Sequence, residues 1–434
     1  METFDYIIVG SGIAGIHTAY RLNQQGKKVL VLEKESYVGG RMSTRLVHGH
    51  PVDYGAKFVT KFYTNMMNLA KELNVDFVPI PVGRASIKRD GKLYSFESKT
   101  KALLSYKGLS LWSKVRLALG TFYLLVRYRN LDFHRLETTL HLDNKNLYDD
   151  MRNIVGPEAF DYLIEAINQD VIFHSTKEAS RAPFYTYIPK LLKIKGFSFP
   201  GGIGDLCKKM ATFVPVQLNT EVRSVERRPG GVQIKTIHNG KEIIYKAKRA
   251  IIAVPGSRVL DIFTDPLPEE KAFFSSVRYA GTVQIIGTTK TDLISETGSI
   301  WTIPKNNPAF AAISFKQWNF SFSEEVVFYA ALKGDTYWYL RRTGTFNHAH
   351  LQDLLQKDFP RLHDVKVLDV QIWESATPIL YPGYVTRAIN FRNRPNWDNR
   401  IYFCGDYLEN PSTEGALTSS IKLLQKINGT SLKN

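Results

Sequence analysis

Residues 5–15 read DYIIVGSGIAG, an apolar strand followed at once by a glycine-rich turn. The turn fits the spacing Gly-x-Gly-x-x-Gly, and the residues expected to contact a bound nucleotide are Gly10, Gly12, Ile13, Ala14 and Gly15. In such a turn the first glycine permits a tight bend, the second lets the backbone approach a pyrophosphate, and the third lets helix and strand pack closely. Amides at the N-terminus of the following helix attract phosphate charge. The motif therefore predicts a dinucleotide site.

The residues after the turn complete a strand–helix–strand unit. The pattern predicts a strand at 6–9, a helix at 15–24 and a second strand at 28–32 that runs directly into Glu33 and Lys34. A carboxylate at the end of the second strand can accept hydrogen bonds from a ribose diol. We therefore expect Glu33, with Lys34 beside it, to contact the cofactor. The pattern to this point suits NAD or FAD.

Length and composition favour two joined domains of ordinary globular character. The chain has 434 residues, of which 44% are hydrophobic and 23% charged. Its two cysteines, Cys207 and Cys404, are too far apart for a redox pair or a cysteine metal site, so we expect reduced thiols and no metal. The N-terminus lacks the pattern of a secretion signal, which favours a cytoplasmic protein.

The charge balance favours an anionic partner. The 57 basic side chains outnumber the 41 acidic ones, for a formal net charge of +16. Such an excess suits nucleic acid, anionic lipid or an acidic substrate. The basic residues are mixed with aromatics and leucines rather than gathered in a tail, which favours a peripheral membrane surface over nucleic acid.

The predicted elements place one domain in three separated pieces. Helical periodicity dominates an insert at about 100–195, and short strands return after 201. We expect an α/β domain with a parallel sheet, formed by 1–60, 200–260 and 385–434. A mixed α+β substrate domain is expected to take up 61–199 and 261–384. The glycines at 201–204 are read as the turn into a helix, not as a second nucleotide site.

Further motifs follow the glycine turn in order. Gly39-Gly40-Arg41 is followed by Val52-Asp53-Tyr54-Gly55-Ala56, and the far end carries Gly405-Asp406 and then Glu414-Gly415-Ala416. Together these stretches resemble the flavin-containing amine oxidase superfamily. That group includes monoamine and polyamine oxidases, protoporphyrinogen oxidase, and the phytoene and carotenoid desaturases. The resemblance implies a Rossmann-like FAD-binding domain, and because neither Cys207 nor Cys404 fits the position of covalent attachment in monoamine oxidases, we expect a non-covalent FAD.

The resemblance also implies roles for individual residues. Arg41 would neutralise phosphate charge, Asp406 would bind the ribityl or pyrophosphate region, and the backbone around Val222 would touch adenine. The helix start after Asp406 would lie beneath the pyrimidine edge of the flavin. The remaining residues expected along the cofactor are Gly40, Ala56, Gly405, Glu414, Gly415 and Ala416. The family usually continues with Ser-Gly, where this chain has Ser419-Ser420.

The catalytic side carries fewer signals, and no catalytic residue is assigned. Trp373 lies in a segment that resembles the family stretch beside the flavin ring, and Tyr381 is a candidate for the substrate pocket; each could equally be structural. No cysteine fits the covalent attachment of monoamine oxidases. The stretch 279–284, where many amine oxidases place a lysine, has none, and no tyrosine pair of an amine cage is recognised.

The helical insert contains an amphipathic pattern with tryptophan. The apolar residues expected on one face are Leu109, Trp112, Val115, Leu119, Phe122 and Val126. The basic residues interleaved with them are Lys107, Lys114, Arg116, Arg127 and Arg129. One interpretation is an interfacial anchor on an anionic membrane. The other is an internal helix with a solvated basic edge.

The insert is more similar in plan to protoporphyrinogen oxidase and the desaturases than to a soluble amine oxidase. The leading hypothesis is therefore an FAD-dependent oxidoreductase that dehydrogenates a hydrophobic, protoporphyrinogen- or polyene-like small molecule by hydride transfer to flavin N5. Oxygen or a quinone-like molecule would accept the electrons. Two alternatives stay open: an amine oxidase of primary amines or polyamines, and a redox-neutral flavoprotein such as a mutase or isomerase.

Overall fold

The computed structural model describes residues 3–47, 49–80, 85–96, 106–193, 195–316, 325–395 and 398–429. The strands are β1 (Thr3–Val9), β2 (Val29–Leu32), β3 (Thr44–Val47), β4 (His50–Asp53), β5 (Val59–Thr60), β6 (Val78–Pro79), β7 (Ala85–Arg89), β8 (Lys92–Phe96), β9 (Gly196–Ser198), β10 (Val216–Gln217), β11 (Thr220–Arg228), β12 (Gly231–His238), β13 (Lys241–Ile252), β14 (Tyr279–Lys290), β15 (Ser299–Thr302), β16 (Phe310–Lys316), β17 (Val326–Leu332), β18 (His363–Pro378) and β19 (Ile401–Phe403).

Helices connect these strands and form a separate lobe. They are α1 (Ile13–Gln24), α2 (Thr64–Glu72), α3 (Leu111–Arg127), α4 (Leu147–Val155), α5 (Pro157–Ala159), α6 (Glu165–Ile172), α7 (Arg181–Tyr185), α8 (Asp205–Ala211), α9 (Val259–Ile262), α10 (Pro268–Phe274), α11 (Leu293–Glu296), α12 (Gly334–Thr343), α13 (His348–Asp358), α14 (Tyr384–Arg392) and α15 (Thr413–Ile427). Short 3-10 turns include Gly40–Met42, Leu136–Leu142, Ile188–Lys193 and Asp406–Leu408, and one π turn covers Phe160–Ile164.

The first sheet carries the strand–helix–strand unit. Its order is β10-β2-β1-β13-β12-β11, with β19 also paired to β13. The β10, β2, β1, β13 and β19 pairings are parallel, while β12 and β11 form an antiparallel extension. Its strands come from three separated stretches of chain, whereas the exact domain boundaries given above stay a prediction.

Both faces of the parallel part of this sheet are buried, as parallel sheets require. On β1, Ile7 and Val9 face one core cluster, and Tyr6 and Ile8 face the other. The strand residues are therefore apolar on both sides, which is why 6–9 reads as an unbroken hydrophobic run. Helix α1 packs on one face together with α15 and α8.

The second sheet belongs to the mixed α+β region. Its order is β18-β14-β17-β16-β15-β7-β8, antiparallel except for the β15–β7 pair. On β14, Val283 and Ile285 pack with α12 and α13 in a separate core. The alternate residues Thr282 and Gln284 face the opposite way, toward a cavity between the sheets. The prediction of an α/β domain joined to an α+β region with a helical lobe is confirmed.

The lobe differs from prediction in two places. The helical periodicity of the insert is interrupted after α4, which ends at Val155 because Gly156 has a φ of 93° and Pro157 begins the next helix. Residues 100–105, where the helical insert was expected to begin, lie outside the described residues. Leu109 was expected on the helical face, but it precedes α3 and is buried in the core.

The predicted turn at 201–204 is confirmed, since α8 starts at Asp205. Gly202 has a φ of 97°, and a side chain there would collide with Thr44 and Asp53. Within the described ranges, no helix is both long and apolar enough to cross a bilayer.

Candidate active site

The glycine turn between β1 and α1 forms one wall of a cavity of about 290 Å³. A Cβ on Gly15 would lie 2.1 Å from the carbonyl oxygen of Gly10, so only glycine lets α1 approach the strand this closely. Gly10 has a φ of 101°, which also favours glycine. A Cβ on Gly12 would meet no protein atom within 4 Å. The second glycine therefore leaves open space on the cavity side of the turn.

The N-terminus of α1 suits an anion at this space. Ile13 and Ala14 line the cavity, no side chain caps the helix, and its first turn has no acidic residue. The first amides of a helix have no partner within it and carry the positive end of its dipole. The residues present thus fit the pyrophosphate of a dinucleotide. Gly40 does not line the cavity; a Cβ there would lie 3.6 Å from Gly12, and its φ of 53° favours glycine.

Glu33 is held beside the glycine turn at the end of β2. It is buried, and its Oε2 accepts hydrogen bonds from the amide and hydroxyl of Ser11 at 2.8 and 2.7 Å. Its Oε1 accepts the amide of Glu35 at 3.0 Å. Lys34 points to solvent and pairs with Glu35 at 3.3 Å. Neither Glu33 nor Lys34 lines the cavity, and Val222, buried on β11, does not line it either.

Arg41 and Asp406 form a charged pair in the cavity wall. The guanidinium donates to both Asp406 oxygens at 2.6 and 3.1 Å and to the Ala376 carbonyl at 3.0 Å. Burial alone would lower the pKa of Arg41, but the Asp406 carboxylate outweighs it and raises that pKa. Tyr279 donates to Asp406 at 2.8 Å, and burial together with this carboxylate raises the pKa of the phenol well above its usual value. Arg41 therefore stays charged and Tyr279 stays neutral.

The start of α15 closes the cavity from the other end of the chain. Ser412 caps the helix by accepting the amide of Gly415 at 3.0 Å, and Ala416 lines the cavity. A Cβ on Gly415 would lie 1.9 Å from the carbonyl oxygen of Asn410, so glycine is required for this turn. Gly405, Asp406 and Ala416 are thus brought together with the glycine turn.

Glu414 has a different position from the one the resemblance suggested. It is fully buried, does not line the cavity, and accepts the amides of Asn65 and Met66 at 2.8 and 2.9 Å. It therefore caps the N-terminus of α2 and joins α2 to α15. Its Oε1 is also 2.7 Å from Nε2 of His134. Burial would lower the pKa of His134, but hydrogen bonds and charge from Asp132 and Glu414 outweigh it and raise the pKa to about 9.

Apolar and aromatic side chains dominate the end of the cavity away from the glycine turn. The lining residues there are Lys57, Phe58, Tyr63, Asp170, Val171, Phe173, Tyr187, Thr282, Gln284, Ala331 and Trp373. Trp373 is fixed by a 2.6 Å hydrogen bond from its ring nitrogen to the carbonyl of Tyr54. Tyr381 is absent from this lining: its hydroxyl donates to Ser276 and its ring packs on Tyr384.

Tyr63 and Tyr187 are site residues that sequence reasoning missed. The two phenols lie close to each other and to Ser412, and burial raises the pKa of Tyr63 to about 12 and that of Tyr187 well above its usual value. The two tyrosines lie far apart in the chain and meet through packing on Phe133. No spacing in the sequence could signal this pair.

The two polar positions on β14 face the cavity where the family often has a lysine. Gln284 donates to the carbonyl of Asp53 at 3.2 Å, and Thr282 donates to the carbonyl of Leu332 at 2.7 Å. A lysine does reach the cavity, but from a loop: Lys57 lies next to Ala56, with its ammonium 5.5 Å from the ring centre of Tyr329. The one carboxylate at this end among the described residues is Asp170, which accepts from the ring nitrogen of Trp301 at 3.1 Å.

Cys404 lies outside the cavity. It is fully buried at the end of β19, 3.8 Å from the hydroxyl of Thr18, and burial raises the pKa of its thiol to about 12. Cys404 is therefore a core residue, whereas the non-covalent binding of the cofactor stays a prediction.

Comparison with known proteins agrees with this arrangement. The model of the flavin containing amine oxidoreductase family matches residues 13–423. The "Putative flavin-containing monoamine oxidase AofH" of Mycobacterium tuberculosis is 30% identical over 291 residues. That match covers 62% of this chain and 61% of the relative, so the chain spans about three fifths of the relative's length.

Solved structures share the fold over nearly the whole chain. Cyclohexylamine oxidase from Brevibacterium oxydans superposes with a TM-score of 0.76 at 17% identity, covering 99% of both chains. The "Putative protoporphyrinogen oxidase" from Exiguobacterium gives a TM-score of 0.72 at 17% identity, covering 99% of this chain and 100% of the other. Identities this low establish the fold alone. The prediction of FAD as the cofactor is confirmed at the level of the family. The chain belongs to the flavin containing amine oxidoreductase family.

Proposed function

We propose that the protein is an FAD-dependent oxidoreductase that dehydrogenates a largely apolar small molecule. The observation that carries this proposal is the lining of the substrate end, where seven of the eleven residues are apolar or aromatic: Phe58, Tyr63, Val171, Phe173, Tyr187, Ala331 and Trp373. Such a lining favours apolar ligands because it offers them contact area without unpaired polar groups. When bound, FAD supplies the acceptor for the hydride that leaves the substrate carbon at flavin N5.

The chain's own contribution to this reaction is positioning and exclusion of water. Among the described residues that line the cavity there is no histidine or cysteine to act as base or nucleophile. The tyrosine pair is neutral at ordinary pH, so it can orient a polar group of the substrate by hydrogen bonding without adding charge. Arg41 and Asp406 hold the cofactor side, and Trp373 keeps a fixed orientation through its bond to Tyr54. Oxygen or a quinone-like molecule would then take up the electrons.

An anaerobic reduction screen tests the proposal. Hydrophobic compounds delivered in liposomes, including porphyrinogens and polyenes, are expected to bleach the flavin absorption, whereas primary amines and polyamines are not. Bleaching by amines alone would contradict the proposal. Turnover without net bleaching would also contradict it and would instead support the redox-neutral alternative.

A second candidate, amine oxidation, is favoured by Asp170. Its carboxylate lines the cavity at the end of α6 and could pair with a substrate ammonium. Similarity to proteins named as amine oxidases points the same way. The Asp170→Asn variant separates the two candidates. An amine oxidase would lose about tenfold or more in kcat/KM, because a charged pair would be lost. With an apolar substrate, kcat/KM of the Asp170→Asn variant is expected to change less than about threefold. Lys57→Gln, at the same end of the cavity, is the matched control.

A further inference from the structure

Helix α3 is firmly packed on one side. Leu117, Gly120 and Leu124 are buried, and a Cβ on Gly120 would lie 3.1 Å from the carbonyl oxygen of Ile154, so α3 approaches α4 closely. Ser110 caps the helix by accepting the amide of Ser113 at 3.2 Å, and Glu158 accepts the Ser110 hydroxyl at 2.6 Å. The helix is therefore held lengthwise against the helical lobe, with a fixed outer face.

The outer face of α3 is apolar. Seven large hydrophobic side chains on it are between 42% and 76% exposed: Leu111, Trp112, Val115, Leu119, Phe122, Tyr123 and Val126. With about 100° of rotation per residue they share one arc of about 120°, opposite the buried stripe. They account for seven of the eighteen exposed large hydrophobic side chains among the described residues. A contiguous apolar patch of this kind on a protein surface usually marks an interaction site.

Basic side chains flank this face. The segment from Leu111 to Arg127 contains no aspartate or glutamate, and it carries Lys114, Arg116 and Arg127. On the helical wheel, Arg116 and Arg127 fall beside one edge of the apolar arc, and Lys114 falls beyond its other edge. Arg127 is exposed, as are Lys107 before the helix and Arg129 after it. This local charge is positive, as is the formal net charge of the whole chain, which is +16.

We propose that α3 binds the surface of an anionic membrane and lies in its plane. The apolar arc enters the boundary between headgroups and acyl chains, while the flanking basic side chains contact lipid phosphates. Charge complementarity favours lipid over another protein as the partner of this face. A helix with tryptophan, leucine and phenylalanine on one face and lysine or arginine at its edges matches an anionic bilayer surface. The buried stripe against α4 keeps α3 parallel to the protein surface, which suits an in-plane position.

Vesicle flotation of the FAD-loaded protein tests this proposal. We expect binding to phosphatidylcholine vesicles in which about a third of the lipid is phosphatidylglycerol, and about tenfold weaker binding to pure phosphatidylcholine. Raising the salt concentration should weaken the anionic binding. Equal binding to both vesicles, or none to either, would overturn the proposal.

Variants locate the binding surface. The triple variant Leu119→Ser, Phe122→Ser and Val126→Ser is expected to lose about tenfold or more of its vesicle binding. The double variant Arg127→Gln and Arg129→Gln should bind severalfold more weakly and with less salt dependence. The matched control, Trp338→Ser with Tyr339→Ser, removes two exposed aromatic side chains from α12 and should bind like the unmodified protein. An unchanged flavin spectrum shows that each variant is folded.

A second copy of the chain is the competing occupant of this face. Sedimentation velocity without lipid distinguishes it. The proposal expects the same oligomeric state for the unmodified protein and the triple variant. A dimer that the triple variant converts to a monomer, together with vesicle binding that the variant leaves intact, would overturn the proposal.

Discussion

The two ends of the cavity are constructed differently. The cofactor end uses backbone: Gly12 leaves open space, α1 presents its amides, and Gly15 allows the close packing that positions them. The substrate end uses side chains from distant segments, such as Tyr63, Phe173, Tyr187 and Trp373. Backbone geometry tolerates few substitutions, whereas a side-chain lining can change without loss of the fold. The difference explains how one fold can keep its cofactor while its substrate changes.

The Gly15→Ala variant should have the largest effect. Its Cβ would lie 2.1 Å from the backbone oxygen of Gly10, which cannot move without distorting β1. We expect a loss of about 4 kcal/mol or more in the free energy of unfolding, and little bound FAD. Urea denaturation and flavin absorbance measure the two effects.

Gly12→Ala is the matched control. A Cβ there meets no protein atom within 4 Å, and its φ of −59° suits alanine. The variant should be as stable as the unmodified protein in the absence of FAD, but it should bind FAD more weakly because the methyl group takes pyrophosphate space. Equal stability losses in both variants would contradict the proposed division between packing and binding.

Asp406→Ala is expected to have the next largest effect. It leaves the partly buried guanidinium of Arg41 without its partner and the Tyr279 hydroxyl without its acceptor. Because an unpaired charge in a partly buried position is costly, the free energy of unfolding should fall by about 2 to 3 kcal/mol. Asp406→Asn, which keeps an acceptor oxygen, should lose less. Thermal unfolding of both variants measures this, and an identical loss would show that the charge is unimportant.

The pH dependence of stability tests the contact between α2 and α15, because His134 hydrogen-bonds Glu414, the residue that joins these two helices. Because the folded pKa of His134 is raised from 6.5 to about 9, its contribution is fully present below pH 6.5 and is lost as the pH rises through 9. After allowance for partial exposure, the contribution is about 2 kcal/mol. Urea denaturation at several pH values should show this fall, and His134→Gln should remove it. If the His134→Gln variant loses stability over the same pH range as the unmodified protein, His134 is not the source of the pH dependence.

Tyr187→Phe should have the smallest effect and should be confined to the substrate end. It removes a hydroxyl that lies close to Tyr63 and Ser412 but leaves the ring packing in place. We expect a change of about 1 kcal/mol, roughly fivefold, in kcat/KM and an unchanged FAD content. Steady-state kinetics with a substrate found in the bleaching screen would measure it. A loss of FAD from this variant would contradict the separation of the two ends.

The sequence was informative where function depends on local backbone. Gly10, Gly12 and Gly15 act within one turn, so their spacing alone predicts both the fold and the nucleotide site. The break at Gly156-Pro157 could also have been predicted, because both residues are helix terminators. Glu414 could not, since the amides it caps belong to α2, about 350 residues earlier in the chain.

Side chains that meet only through tertiary packing were predicted less well. Trp373 lines the cavity and Tyr381 does not, although the two lie close together in sequence. The difference arises because Trp373 is on β18, whereas Tyr381 follows the end of that strand and packs on Tyr384. Periodicity identified most of the outer face of α3, but only the structure shows that this face is exposed.

The visible absorption spectrum of the purified protein, before and after heat release of its cofactor, tests the central claim most directly. We expect a flavin spectrum and free FAD in the supernatant, since the cavity offers FAD a glycine turn, a helix N-terminus and no cysteine among its described lining residues. A colourless protein that stays colourless when FAD is added would contradict it.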